Sequence, residues 1–107
     1  MNLPPPIQAY FAADERSDGE ALIQAFAADA VVKDEGRTYA GHKAISAWWR
    51  ETKDKYQTVL EPLEVGDEDD VATVRAKVTG QFPGSPAIII FMFRLNGNRI
   101  SRLDIEA

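Results

Sequence analysis

Residues 71–106, VATVRAKVTGQFPGSPAIIIFMFRLNGNRISRLDIE, decide the fold class of this chain. Apolar and polar side chains alternate at the start of this stretch, which is the period of a strand with one buried face. The row predicted to be buried consists of Ala72, Val74, Ala76, Val78 and Phe82. Turn sequences then divide the stretch into an antiparallel meander. The predicted segments are a strand over 71–82, a PGSP turn at 83–86, a strand over 87–95, an NGN turn at 96–98 and a strand over 99–106.

The strand AIIIFMFRL (87–95) is apolar on both faces. One row holds Ile89, Phe91, Phe93 and Leu95, and the other holds Ile88, Ile90 and Met92. An antiparallel sheet with one face in water normally carries polar side chains on that face. The second apolar row therefore predicts a cover from outside the chain. A homodimer through this outer sheet face, burying Ile88, Ile90 and Met92, is the simplest such cover.

Helical patterns precede the meander. The prolines at 4–6 are tolerated in a first helical turn, and SDGE (17–20) resembles a capping box with Ser17 as the cap of a second helix. The range 42–56 predicts a third helix, because its apolar side chains fall on one side and most of its charged side chains on the other.

Shorter signals complete the pattern. Val31 and Val32 predict a short strand, and the glycines at 36 and 41 bracket a small hairpin. TVLEPLEV (58–65) alternates loosely and predicts another strand, while GDEDD (66–70) predicts a solvated turn. Helices followed by an antiparallel meander form an α+β pattern, with the helices packed on one face of a sheet.

The composition bounds the class of protein. The chain has 107 residues, 45% hydrophobic and 27% charged, which predicts one globular domain over 1–107. It has no cysteine, which excludes disulfides, thiolate nucleophiles and cysteine-bound metals. The net charge is −5 without a basic stripe, and no segment predicts a signal peptide or a membrane span. We therefore expect a cytoplasmic protein without a nucleic-acid or membrane partner.

Much of the chain resembles the nuclear transport factor 2-like superfamily. The resemblance is carried by Tyr10, ALIQAFAADAVVKDEGRTYAGHKAISAWW (21–49) and FRLNGNRISRLDI (93–105). Within the superfamily the chain is most similar to the ketosteroid isomerases and SnoaL-like polyketide cyclases. The resemblance implies a cystatin-like cone, in which a strongly curved, mostly antiparallel sheet wraps around three N-terminal helices. It also implies a small hydrophobic ligand inside the cone and no cofactor. The fold hosts many functions, so it does not fix a reaction.

The resemblance also implies roles for single residues. Ketosteroid isomerases combine an aspartate base with an oxyanion hole made of a tyrosine and a protonated aspartate. The match implies that Asp34 is the base and that Tyr10 is the tyrosine. Phe91 occupies the position of the protonated aspartate, so the third element of the set is missing.

The residues themselves permit the same chemistry. Abstraction of a proton next to a carbonyl requires a base near the carbon and a donor near the oxygen. Asp34 and Tyr10 can supply this pair, and Asp104 is a candidate second carboxylate. Alternatives remain open at this point: Asp34 caps a turn, Tyr10 belongs to the core, and Asp104 is solvated or paired with Arg102.

Aromatic side chains are the candidate substrate-binding residues, namely Trp48, Trp49, Phe82, Phe91 and Phe11. Since Trp48 and Trp49 are adjacent on a helix, we expect one to line the cavity and the other to pack under the sheet. His42 follows a glycine at a helix start, which favours a structural or surface role over catalysis. We expect no metal site, because the sequence contains none of the common metal-binding motifs.

Three functions are consistent with these residues. The first is an isomerase or cyclase that acts by acid–base catalysis on a hydrophobic carbonyl substrate. The second is a non-catalytic ligand-binding or interaction module of the same fold. The third is a hydrolase in which Asp34 or Asp104 acts with water. The missing aspartate favours the module, whereas Tyr10 and Asp34 favour the enzyme.

Overall fold

The computed structural model describes residues 2–107, which form three helices and six strands. The helices are α1 (Pro5–Glu15), α2 (Gly19–Gln24) and α3 (Gly41–Tyr56). The strands are β1 (Phe26–Asp34), β2 (Arg37–Ala40), β3 (Val59–Glu68), β4 (Val71–Thr79), β5 (Ala87–Asn96) and β6 (Arg99–Glu106). None of these three helices has the length and apolarity that are needed to cross a membrane.

All six strands belong to one sheet, in the order β2-β1-β6-β5-β4-β3. Neighbouring strands are antiparallel except β1 and β6, which run parallel and join the N-terminal half of the chain to the last strand. The helices pack on one face of the curved sheet, and the hydrophobic core forms between them. The predicted α+β class, with a mostly antiparallel curved sheet and three helices, is confirmed.

The start of α2 differs from the predicted capping box. Asp18, not Ser17, is the N-cap, and its side chain accepts a hydrogen bond from the Ala21 backbone N–H at 3.1 Å. Ser17 has a φ of 55° and belongs to the turn after α1. Both residue types can accept from the free N–H groups of a helix start, so their order in the sequence does not decide between them.

Two strands extend beyond their predicted limits. Strand β1 covers nine residues rather than the region of Val31 and Val32 alone, because it pairs with β6 as well as with β2. Strand β3 continues to Glu68, so the turn before β4 is reduced to Asp69 and Asp70, which both have positive φ. Strand β1 is extended by pairing with the distant β6, and β3 is extended by pairing with the neighbouring β4 as far as Glu68 and Val71.

Strand β4 ends at Thr79, earlier than predicted, and Phe82 lies in the following loop. Beyond Thr79 the chain approaches the end of α3, where the Gln81 N–H donates to the Tyr56 carbonyl at 2.6 Å. A Cβ atom on Gly80 would lie 2.7 Å from that carbonyl oxygen. Glycine therefore allows the close approach that ends the strand.

The core packs the helices against the inner rows of the sheet. Tyr10, Phe26 and Phe93 are among its largest enclosed side chains. Ala72, Val74, Ala76 and Val78 form the buried row of β4, as the alternation predicts. Leu95 does not belong to the inner row of β5. The register with β6 shifts between Arg94 and Leu95, and this bulge leaves Leu95 exposed.

Candidate functional site

A cavity of about 500 Å³ lies between α1, α3 and the inner face of the sheet. Its lining is apolar on the side of the sheet and polar on the side of the helices and the end of β1. The sheet contributes Leu60, Val78, Ile89, Phe91 and Ile105. An apolar wall with a few polar groups on one side is the usual composition of a small-molecule site.

Asp34 reaches this cavity because it is the last inward-facing residue of β1. Ala30 and Val32 precede it in the same row and are fully buried. The chain then reverses through Glu35 and Gly36, whose φ angles are 53° and 76°. Two positive φ angles define a tight hairpin turn, and glycine at the second position adopts this conformation without strain. The side chain of Asp34 lines the cavity at the end of this hairpin.

The Asp34 carboxylate is oriented by α3. Trp48 Nε1 donates a hydrogen bond to Asp34 Oδ2 at 3.0 Å. Burial raises the pKa of Asp34 above its ordinary value, and the charge of Glu35 adds to this rise. Hydrogen bonds from the Trp48 indole and the Glu35 backbone oppose it, because they stabilise the ionised form. Asp34 is therefore an oriented carboxylate that holds a proton more readily than a surface aspartate does.

Tyr10 lies on α1 and presents its hydroxyl to the same cavity. The side chain is only 2% exposed, and its ring packs edge to face against Phe26 and Phe93. The hydroxyl makes no hydrogen bond within residues 2–107, yet no fully enclosed side-chain polar atom in this range lacks a partner. It therefore faces the cavity space. Burial, followed by the charges of Asp14 and Asp34, raises the pKa of Tyr10 well above its ordinary value, so the hydroxyl is a neutral donor.

The structure adds a carboxylate that sequence reasoning missed. Asp14 lies one helical turn after Tyr10, lines the cavity and is 3% exposed. It accepts hydrogen bonds from Trp49 Nε1 at 2.9 Å and from Lys53 Nζ at 3.1 Å. Lys53 also donates to the Thr58 carbonyl at 2.6 Å. The available signal was the position of Asp14 on the apolar face of α1, because a charge is buried there only with partners.

Trp48 and Trp49 both line the cavity, so the expectation that one of them packs under the sheet is wrong. Adjacent helical residues point about 100° apart. The two indoles therefore reach different elements: Trp48 contacts Asp34 on β1, and Trp49 contacts Asp14 on α1. Each indole thereby buries its ring and donates its N–H to a carboxylate.

The other predicted binding residues differ in location. Phe82 and Phe91 line the cavity, one from the loop after β4 and one from β5. Phe11 is not a lining residue, because it follows Tyr10 on α1 and points into the core. Its ring packs against Tyr10 and Phe93, so Phe11 supports the cavity wall from behind.

Asp104 lies outside the cavity, on the outer face of the sheet. It is opposite Met92 in the β5–β6 register. The Arg102 guanidinium donates to its two carboxylate oxygens at 2.9 and 3.1 Å. Asp104 is therefore paired with Arg102, which is one of the alternatives left open by the sequence. A ligand in the cavity does not reach it.

His42 also lies away from the cavity lining. Its Nε2 atom is 2.8 Å from the Phe26 carbonyl oxygen, so the side chain connects the start of α3 to the start of β1. Within residues 2–107, no three histidine, aspartate or glutamate side chains converge so that they could hold a metal ion.

The arrangement combines four chemical capacities. Asp34 can accept a proton from a ligand atom, and Tyr10 can donate a hydrogen bond to a ligand oxygen. Asp14, fixed by Trp49 and Lys53, supplies a further polar group on α1, one helical turn after Tyr10. The apolar sheet face can hold the hydrophobic part of a ligand.

Distant structures share this architecture. One is a hypothetical protein with a ketosteroid isomerase-like fold from Catenulispora acidiphila DSM 44928, in complex with trimethylamine. It has 24% identity and a TM-score of 0.85, over 99% of this chain and 87% of that chain. Another is a nuclear transport factor 2-like protein of unknown function from Cytophaga hutchinsonii ATCC 33406. It has 9% identity and a TM-score of 0.77, over 94% of this chain and 84% of that chain. No curated protein gives a significant match.

Two further comparisons concern the family directly. The family model of the SnoaL-like domain matches residues 7–103. A proposed polyketide cyclase from Sinorhizobium meliloti has 46% identity and a TM-score of 0.94, over 97% of this chain and 95% of that chain. The match spans the helices, the cavity and nearly all of the sheet, and therefore the chain belongs to the SnoaL-like domain family, within the nuclear transport factor 2-like superfamily.

Proposed function

We propose that this protein is a cofactor-independent isomerase or cyclase that moves protons on a small hydrophobic carbonyl compound in the cavity. One observation carries the proposal. A carboxylate whose proton affinity is raised by burial and a neutral buried hydroxyl line the same cavity. These are the base and the donor that enolisation requires.

The reaction begins when Asp34 removes a proton from the carbon next to the carbonyl. Tyr10 donates a hydrogen bond to the carbonyl oxygen, which gains negative charge as the enolate forms. In an isomerase, the protonated Asp34 returns the proton to another carbon of the conjugated system. In a cyclase, the enolate carbon attacks a second carbonyl of the same ligand, and the protonated Asp34 gives its proton to the new alkoxide. The apolar wall excludes water, which strengthens the interaction with Tyr10.

The proposal can be tested without the natural substrate. Cyclic ketones and unsaturated steroid ketones exchange the protons next to their carbonyl with D₂O, and NMR measures the rate. We expect the wild type to accelerate exchange for part of such a panel. Asp34→Asn should lower the catalysed rate by roughly 100- to 10,000-fold. Tyr10→Phe should lower it as well, because it removes the donor to the oxygen.

Asp104→Asn is the matched control, since it makes the same change on the outer face of the sheet and should leave the rate unchanged. Exchange at the wild-type rate in Asp34→Asn would contradict the role of Asp34. Absence of any acceleration, together with ligand binding, would favour the second function.

That second function is ligand binding without catalysis, and one observation favours it. Phe91, with its ring in the cavity wall, stands where the resemblance implies a protonated aspartate, so Tyr10 is the one donor present of the two that the resemblance implies. A binding module should still be stabilised by its ligands, because binding to the native state raises the melting temperature. Steroids, flavonoids and polyketide-like aromatics at about millimolar concentration form a suitable panel. If none raises the melting temperature, small-molecule binding is wrong.

A further inference from the structure

The polar side of the cavity carries more negative than positive charge. Asp14, Asp34 and Glu35 line it, and Lys53 is the one lysine or arginine among its described lining residues. The ammonium group of Lys53 is bonded to Asp14 and to the Thr58 carbonyl, so its charge is already compensated. Asp34 and Glu35 take part in no salt bridge within residues 2–107. Negative charge therefore remains for a ligand to neutralise.

A second observation comes from Tyr10 on the cavity wall. Its hydroxyl is buried, faces the cavity and makes no hydrogen bond within residues 2–107. After burial itself, the charges of Asp14 and Asp34 contribute to the raised pKa of Tyr10. Both carboxylates thus lie near enough to the Tyr10 hydroxyl to affect its pKa, and this unpartnered hydroxyl points into the same cavity.

Aromatic rings form much of the remaining wall. The rings that line the cavity are those of Tyr10, Trp48, Trp49, Tyr56, Phe82 and Phe91. The face of an aromatic ring attracts a cation, and the attraction increases when the site is shielded from water. Carboxylates combined with aromatic faces are suited to tertiary and quaternary ammonium groups, which bring positive charge with an apolar surface.

We infer that the ligand of this cavity is a hydrophobic ammonium compound, with its positive charge near Asp34 and Glu35 and its apolar part against the sheet. This inference rests on the proposed function and specifies its substrate as an amino-substituted carbonyl compound. A bound cation also favours the ionised form of Asp34. Binding of the substrate would thereby ionise Asp34, which is the form that accepts a proton.

The test uses two probes of the same shape and different charge. They are 3-hydroxyphenyltrimethylammonium and its neutral carbon isostere, 3-tert-butylphenol. Titration at pH 6.5, followed by the NMR signals of the Trp48 and Trp49 indole N–H groups, gives both dissociation constants. We expect the wild type to bind the cation about tenfold more tightly than the neutral probe.

Two variants should change this preference in opposite directions. Asp34→Asn removes negative charge and should reduce the preference several-fold. Lys53→Gln removes the compensating positive charge and should increase it, a result that loss of structure does not produce. Glu61→Gln is the control, because Glu61 is exposed on β3 and is not a lining residue.

Each other outcome is decisive. Equal affinity of the wild type for both probes would overturn the ammonium inference and leave the proposed function standing. A preference that is unchanged in both variants would show that the cavity charges do not select the ligand, which also overturns the inference. Failure of the wild type to bind either probe would overturn the inference, while the proton-exchange assay tests the proposed function separately.

Discussion

Asp34 places a charge where burial disfavours it, and the resulting loss of stability depends on pH. Below the ordinary aspartate pKa of about 3.8, the carboxyl group is neutral in the folded and the unfolded chain. Burial raises the folded-state pKa, so the folded chain binds more protons than the unfolded chain between the two pKa values. The stability associated with Asp34 is therefore present at low pH and is lost as the pH rises through the folded-state pKa.

Asp34→Asn should remove this loss. The variant should be as stable as the wild type at neutral pH or more stable, and its relative advantage should disappear as the pH falls toward 3.8. Urea unfolding at a series of pH values measures the difference, with Asp29→Asn as the control, because Asp29 is exposed on β1. A clear destabilisation of Asp34→Asn at neutral pH would show that hydrogen bonds to the carboxylate outweigh its burial.

Trp48 adjusts the same carboxylate. Its indole N–H donates to Asp34 and stabilises the ionised form. Trp48→Phe keeps an aromatic ring but removes the donor, so the pKa of Asp34 should rise further. Carboxyl carbon NMR titration of Asp34 measures this change, and the pH dependence of proton exchange should move in the same direction. Trp49→Phe is the control, because that indole donates to Asp14 instead. An unchanged or lowered Asp34 pKa in Trp48→Phe contradicts this role.

At the scale of elements, the junction between β4 and α3 depends on one close approach. A Cβ at Gly80 would lie 2.7 Å from the Tyr56 backbone oxygen, which cannot move as a flexible side chain can. Gly80→Ala should therefore destabilise the protein by about 1–3 kcal/mol, the usual cost of overpacking. Gly66→Ala on β3 is the matched control, because nothing lies within 4 Å of its added methyl group. Urea unfolding measures the stability of both variants. Equal stabilities would show that the backbone at this junction can move to accommodate the added methyl group.

The elements also show what local sequence can predict. The meander of β4, β5 and β6 follows from alternation and turn residues, and α3 follows from its apolar face, because these signals are local. The length of β1 does not follow, since FAADA (26–30) is rich in alanine and becomes strand only through the structure around it. Tertiary pairing outweighs intrinsic preference there.

The site divides in the same way. Asp34 and Tyr10 could be selected from their spacing and the family resemblance. The pairing of Asp14 with Lys53 could not, because the two residues are 39 positions apart in sequence and meet only in the folded chain. Asp104 was selected as a carboxylate on the last strand, but the pleat of β6 directs it to the outer face.

At the scale of the whole molecule, the outer face of the sheet has an apolar centre between charged sides. Ile88 is 43% exposed, and Ile90 and Met92 are half-buried. Basic Arg75 and Lys77 lie beside this row on β4, and acidic Asp104 and Glu106 lie beside it on β6. Arg75 and Asp104 are already ion-paired, with Glu64 and Arg102, whereas Lys77 and Glu106 are in no ion pair within residues 2–107. A two-fold axis along β5 would place the Lys77 side of one copy over the Glu106 side of the other. We therefore propose that two copies associate through this face.

Ile90→Asp should prevent this association, because it would bury an unpaired charge at the centre of the interface. Light scattering at micromolar concentration should give a dimer for the wild type and a monomer or aggregate for the variant. Ala12→Asp adds the same charge to the exposed side of α1 and should remain dimeric. A wild type that is monomeric at this concentration would end the proposal.

The parallel pairing of β1 with β6 has a consequence for the order of events during synthesis. The segments from β3 to β6 contact their sequence neighbours and can pair as soon as they emerge from the ribosome. The β1–β2 hairpin is made early, yet β6, its one neighbour on the β1 side, is the last of the six strands to be translated. Asp34 therefore reaches its cavity only after the final strand has left the exit tunnel. Until then α3 can pack against the hairpin, but the edge of β1 that pairs with β6 stays open, and its free backbone N–H and C=O groups are available to other chains.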